Sequence, residues 1–245
     1  MRRLELIGVE GMPEVATGDD LADLIGARIK LQAGDIVVVA QKVVSKSEGR
    51  IRHLDSVTAS EEAVRLAANL IAGEDPRVVQ VVLDESVRIV RSDRVLITET
   101  RHGYVCANSG VDHSNVPGAD VVLLLPEDPD ASAERLRNRL RETTGTTVAV
   151  IVSDTFGRPW RMGIVNVALG VAGLPALMDL RGQLDDAGKE LHATVLAIAD
   201  DAASAAGLVM GKTHRTPVVV VRGMDLEGSG SGRDLIRPAA EDLFR

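Results

Sequence analysis

Aromatic side chains are scarce in this sequence of 245 residues, which contains one Trp, one Tyr and two Phe. Two of the four, Phe156 and Trp160, lie in one stretch, TVAVIVSDTFGRPWRMG (147–163). Its β-branched run (148–152) predicts a buried strand that ends in a polar loop. Loops usually carry polar residues, so rings in this loop indicate either packing of the loop onto the core or a site for a planar or apolar ligand.

Cysteine, long apolar runs and basic residues are also in short supply. The single Cys106 excludes an intramolecular disulfide and a CxxC pair, fits a reducing compartment, and is expected to be a small buried hydrophobe. No run approaches the roughly 18 apolar residues of a membrane span, and the start of the chain lacks the apolar core of a signal peptide. We therefore expect a cytoplasmic protein with no membrane partner. Lys plus Arg total 28 against 36 for Asp plus Glu, a net charge of −8, so nucleic acid is not an expected partner.

Several standard catalytic motifs are missing. The stretch GLVMGKT (207–213) ends like a P-loop, but its first glycine comes one position too late. There is no GxGxxG after a strand, no GxSxG and no HExxH, and the five histidines are scattered. Phosphatases with an aspartyl nucleophile generally have a second Asp two residues after the first, where this chain has Phe156 after Asp154. Zinc chemistry and Ser-His-Asp catalysis therefore lack support.

The length allows one large domain or two intimate ones. Apolar periodicity, capping residues and β-branched runs predict an α+β protein. We expect strands at 4–9, 36–40, 121–125, 148–152 and 218–221, helices at 18–31, 58–73, 130–141 and 195–210, a polar loop at 41–49, and short β pieces between 78 and 105 that begin with VVQVVL and form a β-rich insert at about 76–118.

Polar side chains follow three of the predicted strands. Mg²⁺ is usually held by one or two carboxylates plus substrate phosphates, and a lysine on a Gly- and Ser-rich loop is suited to neutralise phosphate. Alternatives stay open, since each Asp could cap a turn or a helix and the lysines could be solvated surface residues. The three groups are Lys42 with Lys46, Asp112 with Asn115, and Asp154 with Thr155.

Ordered motifs along the chain resemble those of the coenzyme F-420:L-glutamate ligase family. They extend from about residue 11 to residue 223, which is nearly the whole chain. A similar domain in actinobacteria is fused to a C-terminal nitroreductase-like domain, and the tail of this chain resembles the segment before that fusion. The motifs are GMPE (11–14), GDDL (18–21), VVSKSEGR (43–50), SGVDHSN (109–115), VSDTFGRPWR (152–161) and VMGK (209–212) before PVVVVRG (217–223).

The resemblance implies the family's own fold, with two intimately linked domains, mixed and antiparallel sheets and flanking helices. We accordingly expect a single ligase unit over 1–245, with two closely packed subdomains and with a hinge and C-terminal segment at 228–245. It also implies a homodimer whose sites lie near the interface.

The implied reaction is GTP-dependent. L-glutamate is joined to the lactyl carboxylate of a deazaflavin precursor, further glutamates follow through γ-linkages, and GDP and phosphate are released. The expected cations are Mg²⁺ or Mn²⁺, with K⁺ as a further candidate.

Residue by residue, the resemblance assigns the metal to Asp112, Asp154 and Thr155, and a catalytic role to Lys46 and Asp154. Archaeal members have a metal-binding glutamine where this chain has Lys212, which leaves the fourth ligand and a second metal open. The residues implied to contact GTP are Met12, Pro13, Glu14, Val15, Gln41, Lys46, Asn115, Met210, Gly211, Lys212 and Thr213.

The remaining loop residues have no matched role in the family. Arg158 and Arg161 could clamp the precursor's phosphodiester or the glutamate carboxylates, because arginine binds both in a bidentate manner. Phe156 or Trp160 could stack on the deazaflavin, or all of these could be surface residues. Two other functions are kept open: a metal-dependent phosphohydrolase that uses Asp154, and a non-enzymatic nucleotide-binding module.

Overall fold

The computed structural model of the chain describes residues 3–70, 73–113, 120–226 and 228–242. The strands are β1 (Glu5–Gly8), β2 (Ile36–Ala40), β3 (Ile51–His53), β4 (Ser86–Arg91), β5 (Ile97–Thr100), β6 (Val105–Ala107), β7 (Val121–Leu123), β8 (Ala149–Arg158), β9 (Arg161–Ala172), β10 (Met178–Asp179), β11 (Val195–Leu196) and β12 (Val218–Arg222). The α-helices are α1 (Leu21–Gly26), α2 (Gln41–Ser47), α3 (Glu61–Asn69), α4 (Pro76–Asp84), α5 (Pro129–Thr144) and α6 (Ile198–Met210).

A mixed sheet in the order β1-β12-β2-β8-β9 forms the centre of the fold. β2 and β8 run parallel, while the other neighbours in this sheet are antiparallel. Smaller antiparallel sheets pair β4-β5-β6, β3-β7 and β10-β11. The predicted α+β class with mixed and antiparallel sheets is therefore confirmed.

Both faces of the central sheet are buried, which explains its continuous β-branched runs. Alternate residues of β2, such as Val37 and Val39, pack with α1 and α5 on one face. The intervening residues, such as Ile36 and Val38, pack with the Ala-rich face of α6 on the other. Small alanines let α6 approach the sheet closely.

A second core lies between α3, α4 and β7. A small cluster of Tyr104, Leu125 and Leu169, with Phe156 and Ile236 packed against it, joins that region to β9. Tyr104 also donates its hydroxyl to the Leu169 carbonyl at 2.6 Å. The division into two subdomains stays a prediction.

Two predicted elements are wrong. The segment expected as a polar loop at 41–49 is α2, and the VVQVVL piece expected as a strand lies in α4. Asp75 caps α4 through the Arg77 N–H, and Pro76 occupies the first turn, where proline is favoured. Four valines of α4 then pack in the second core, so the cap and packing outweigh the β propensity of valine.

The predicted loop after residue 152 is also wrong, because β8 continues to Arg158 and turns into β9. Asp154 pairs with Val167 and Thr155 pairs with Asn166 in this long hairpin. Pairing with β9 therefore keeps these polar residues in a strand, although their composition predicted a loop.

The side chain of Asp130 bonds to both β9 and the C-terminal segment around residues 231–232. Its Oδ1 accepts the N–H groups of Val171 at 2.9 Å and Gly232 at 2.6 Å, and its Oδ2 accepts the Ser231 hydroxyl at 2.7 Å. A Cβ at Gly232 would lie 1.9 Å from the Leu169 carbonyl oxygen, so only glycine allows this approach. The hinge assigned to 228–245 stays a prediction.

None of the helices in the described part of the chain is long and apolar enough to cross a membrane.

Candidate functional site

The candidate site lies where the parallel strands β2 and β8 leave the core. Their last pair is Ala40 with Ser153. The chain then continues from β2 into α2, and from Ser153 into Asp154 and Thr155. Because parallel strands end at the same edge of a sheet, two of the three predicted polar groups meet here.

Helix α2 carries two lysines that lie one helical turn apart, and each of them contacts an acidic residue. Lys42 Nζ lies 2.7 Å from Asp112 Oδ2. Lys46, whose side chain is 7% exposed, forms an ion pair with Glu14. The structure thus brings Lys46 to the segment of residues 12–15, and the GTP contacts assigned to both stay predictions.

Gln41 anchors the start of α2. Its side chain is buried and donates to the Ser45 hydroxyl at 2.6 Å and to the Leu124 carbonyl at 3.1 Å. These bonds give Gln41 a structural role, and its nucleotide contact stays a prediction.

Asp112 reaches the site through a β-bridge to Leu123. The Asp112 N–H donates to the Leu123 carbonyl at 3.1 Å, and the Leu123 N–H donates to the Asp112 carbonyl at 2.8 Å. Asn115 belongs to the same predicted site but lies outside the described residues.

Asp112 and Asp154, called the acidic pair below, are near enough for the charge of Asp112 to affect the pKa of Asp154. Burial raises the pKa of Asp154, the negative charge of Asp112 adds to that rise, and the Thr155 N–H, Lys212 and Lys42 oppose it. The carboxylates therefore interact electrostatically.

Thr155 lies on the opposite face of β8, because side chains alternate along a strand. Its hydroxyl accepts from Lys212 Nζ at 2.5 Å and lies 3.4 Å from Asn166 Oδ1. Lys212 follows the end of α6, so residues 57 positions apart in sequence meet here. The acidic pair and the Thr155–Lys212 contact thus occupy the two faces of the same strand.

The carboxylates of Asp112 and Asp154 fit one hard cation whose other oxygen ligands come from phosphates. Within the described residues, no group of three or more His, Cys, Asp or Glu side chains could hold a metal ion. Asp112 and Asp154 supply two carboxylates, which is the usual protein share of a Mg²⁺ site completed by phosphates. The negative charge of this site already attracts a positive group, since the ammonium of Lys42 contacts the Asp112 carboxylate.

The two other segments that the resemblance predicts to contact GTP differ in their exposure. In the first, Val15 is buried and Met12 packs on the core, while Pro13 and Glu14 are exposed. In the second, Met210 is buried at the end of α6, whereas Gly211, Lys212 and Thr213 are exposed.

The three predicted substrate residues lie at the far end of the hairpin. Trp160 is 79% exposed and has a φ of 58° in the turn. Arg161 is exposed, and Arg158 donates to the Met162 carbonyl at 2.5 Å. The described contacts do not bring them to the acidic pair, and their substrate roles stay predictions.

Phe156 is placed differently from Trp160, although composition treated the two alike. It shares a face of β8 with Asp154, two residues away, and meets Tyr104 edge to face at 6.3 Å. Both rings line a cavity of about 230 Å³ whose lining also includes Leu169, Asp200 and Ile236. A larger cavity of about 580 Å³ lies between α1 and the end of α5, and no predicted site residue lines it.

Cys106 supplies no nucleophile. It is buried, as expected, and burial with the nearby charge of Asp154 raises the pKa of its thiol to about 12. The thiol therefore stays protonated at neutral pH.

Comparison with known proteins matches the chain to one family. The F420-0:gamma-glutamyl ligase family model matches residues 11–223. The chain belongs to this family. It is similar to the coenzyme F420:L-glutamate ligases of Methanocaldococcus jannaschii (47% identical, 100% of this chain, 98% of the relative) and Methanopyrus kandleri (47%, 100% of both). The ligase of Haloarcula marismortui is 46% identical over 99% of this chain and 96% of its own length.

Membership of the gamma-glutamyl ligase family makes the chain an enzyme of the ligase class. Sequence reasoning missed three of its residues near the site: Tyr104, Asn166 and Asp200. Tyr104 was detectable as the only tyrosine in a chain with four aromatic residues. No local sequence pattern indicates Asn166 or Asp200. Asn166 reaches Thr155 because β9 pairs with β8, and Asp200 on α6 reaches β9 by accepting the Ala168 N–H.

Proposed function

We propose that the chain is a GTP-dependent ligase that joins L-glutamate to the lactyl carboxylate of the deazaflavin precursor of coenzyme F-420. Further glutamates follow through γ-linkages, and GDP and phosphate are released. The main support is the family match over residues 11–223, together with the three lysines and the acidic pair that converge where β2 and β8 leave the core. Such a site suits a reaction dominated by phosphate charge.

The chemistry needs an activated carboxylate, because a free carboxylate is a poor electrophile. The precursor's carboxylate oxygen attacks the γ-phosphorus of GTP, GDP leaves, and an acyl phosphate forms. The glutamate amine then attacks the acyl carbon, the amide bond forms, the amine loses a proton and phosphate leaves. No protein nucleophile is required, so the chain's task is to align the reactants and stabilise charge.

The residues divide this task between them. Asp112 and Asp154 would hold Mg²⁺ or Mn²⁺, with Thr155 nearby on the other face of β8, and the ion would neutralise phosphate charge. Lys46 would exchange its contact with exposed Glu14 for a phosphate oxygen. The segments 12–15 and 210–213 and Asn115 would contact GTP, and K⁺ is kept as a further cation.

The precursor's ring has a candidate site in the cavity beside Phe156 and Tyr104. A planar ring placed there would lie on the same face of β8 as Asp154. The exposed Trp160, by contrast, lies in the hairpin turn. Arg158 and Arg161 are kept as proposed partners of the precursor's phosphodiester or of glutamate.

Replacing Phe156 tests this placement. We expect Phe156→Ala to raise the KM for the precursor about fivefold, because an aromatic contact contributes roughly 1 kcal/mol beyond its buried area. The KM for GTP should stay unchanged. Steady-state kinetics with each substrate varied in turn measures both values, and Phe156→Tyr, which keeps the ring, serves as the control. An equal rise of both KM values would argue against a ring site here.

We also propose that two copies of the chain form a homodimer. The β8–β9 hairpin carries exposed apolar side chains, with Met162 94% and Ile164 58% exposed. The excursion between β10 and β11 exposes Leu184. Such apolar projections favour a protein partner over water, and a second copy is the partner that the family resemblance implies.

Met162→Asp should weaken the dimer by roughly 2 kcal/mol, or about thirtyfold in dissociation constant, because it places a charge in an apolar contact. Light scattering during size-exclusion chromatography over a dilution series measures this. Leu208→Asp is the matched control, since Leu208 is also highly exposed (80%) but lies on α6. A monomeric parent chain, or equal effects of the two substitutions, would contradict the assignment.

One incubation separates the proposed function from its alternatives. The purified chain is mixed with GTP, Mn²⁺, L-glutamate and the deazaflavin precursor, and mass spectrometry follows the product. A mass gain of one glutamate is expected, followed by a ladder of further additions. Phosphate release without glutamate addition would indicate the phosphohydrolase, and GTP binding without turnover would indicate the nucleotide-binding module.

A further inference from the structure

The ammonium of Lys212 lies at the site on the face of β8 that carries Thr155. It donates to the Thr155 hydroxyl at 2.5 Å and also lowers the pKa of Asp154, which lies on the other face of β8. On that other face, Lys42 contacts Asp112 at 2.7 Å. Each face of β8 at this site thus has its own lysine, but only one face has the acidic pair.

The backbone around Lys212 is fixed by close packing. Gly211 ends α6 with a φ of +55°, and a Cβ there would lie 2.6 Å from His214 Nδ1. Gly207, one turn earlier, lies against Asn166, the residue that pairs with Thr155 in the sheet. Gly207 thus lets the end of α6 lie against β9, and Gly211 allows the tight turn after α6 from which Lys212 reaches Thr155.

The donor chemistry of the two faces differs. The acidic pair offers two carboxylates to a divalent ion, whereas the described contacts of Thr155 are one lysine ammonium and one amide oxygen. An ammonium within hydrogen-bond distance of Thr155 repels a second cation and supplies no lone pair to it. Lys42 also lies 2.7 Å from Asp112, but there two carboxylates offset the positive charge, whereas Lys212 faces only neutral oxygens at Thr155. A divalent cation therefore fits beside Asp112 and Asp154 and does not fit beside Thr155.

We infer that the Lys212 ammonium takes the place of a second divalent cation, so that this chain binds a single divalent ion, held by the Asp112–Asp154 pair. Lys212 then provides a fixed positive charge on the Thr155 side of the phosphates. The nucleotide part of this inference rests on the proposed GTP dependence, whereas the metal part does not.

Mn²⁺ binding without nucleotide tests the metal part by electron paramagnetic resonance of free Mn²⁺. Lys212→Gln removes the charge and supplies an amide oxygen, so we expect Mn²⁺ affinity to rise about tenfold or more as the repulsion disappears. Lys189→Gln makes the same charge change on an exposed residue of the β10–β11 excursion and should leave the affinity unchanged. Equal Mn²⁺ affinities of the parent and Lys212→Gln would overturn the inference.

Stoichiometry in the presence of a non-hydrolysable GTP analogue gives the second readout. The parent chain should bind one Mn²⁺ per chain, and Lys212→Gln should bind two. Lys212→Met, which removes the charge without adding an oxygen ligand, should still bind one. Two ions in the parent would overturn the inference, whereas failure of the analogue to bind would contradict GTP dependence and leave the nucleotide-free comparison decisive. Circular dichroism checks that each variant is folded.

Discussion

Asp154→Asn should reduce glutamate ligation by about a thousandfold or more, which corresponds to roughly 4 kcal/mol of transition-state stabilisation. Asparagine keeps the size of the side chain but lacks the negative charge that would hold a cation beside Asp112. The remaining carboxylate alone gives a much weaker cation site. Turnover should fall even at saturating GTP, because the lost interaction acts on the charge that develops during phosphoryl transfer.

The same substitution should leave the fold intact. Burial raises the pKa of Asp154 in the folded chain, so the protonated form stabilises the fold at low pH and this stabilisation is lost as the pH rises through the folded pKa. At neutral pH the neutral amide of asparagine removes that penalty, and the free energy of unfolding should equal or exceed that of the parent chain.

Product mass spectrometry and a thermal melt of the same preparation measure the two effects. Asp201→Asn is the matched control, because Asp201 is an exposed carboxylate on α6. Normal turnover in Asp154→Asn would remove Asp154 from the proposed metal site, and loss of the folded state would make its role structural.

Asp35→Ala should produce the largest loss of stability, about 3–5 kcal/mol, because it breaks a buried ion pair and leaves a charged partner behind. Asp35 is 1% exposed, and its two oxygens accept from Arg222 Nε and Nη2, each at 2.7 Å. Asp35 also accepts the Gln32 N–H at 2.7 Å. These bonds tie β12 to the turn before β2 and so support two central strands.

Urea unfolding followed by circular dichroism measures this loss, and the thermal midpoint should fall by about 10 °C for a domain of this size. Asp179→Ala is the matched control, since Asp179 also faces one arginine, Arg181, but is exposed to solvent. Exposed ion pairs contribute little to stability, so the thermal midpoint of Asp179→Ala should stay close to that of the parent chain. Similar losses in the two variants would show that burial does not set the strength of the Asp35–Arg222 pair.

The sequence by itself determined the class, the central strands and the family. The runs at 36–40, 148–152 and 218–221 are β-branched and apolar, and strands buried on both faces need such runs. The helix expected at 58–73 is present as α3, which begins at Glu61 with Ser60 as its cap, the Ser60 side chain accepting the Ala63 N–H. Ordered motifs gave the family, because their sequence along the chain is far more specific than any single motif.

Local sequence failed where a distant partner decides the conformation. The valines of α4 favour strand by propensity, but Asp75 caps a helix and α3 covers its apolar face. The polar residues of β8 beyond Val152 favour a loop by composition, but β9 supplies a pairing partner for each of them. Propensity differences are small beside the burial and hydrogen bonds that such partners provide.

In the candidate site, too, some features followed from the sequence and others only from the tertiary structure. Sequence identified Asp112, Asp154 and Lys46 as polar residues that follow strands, and the residue types alone suggested cations and phosphate. Only the tertiary structure placed Thr155 and Asp154 on opposite faces of β8 and brought Lys212 to Thr155. The reason is physical: a contact between residues 57 positions apart depends on how α6 packs against β9, and no local pattern encodes that packing.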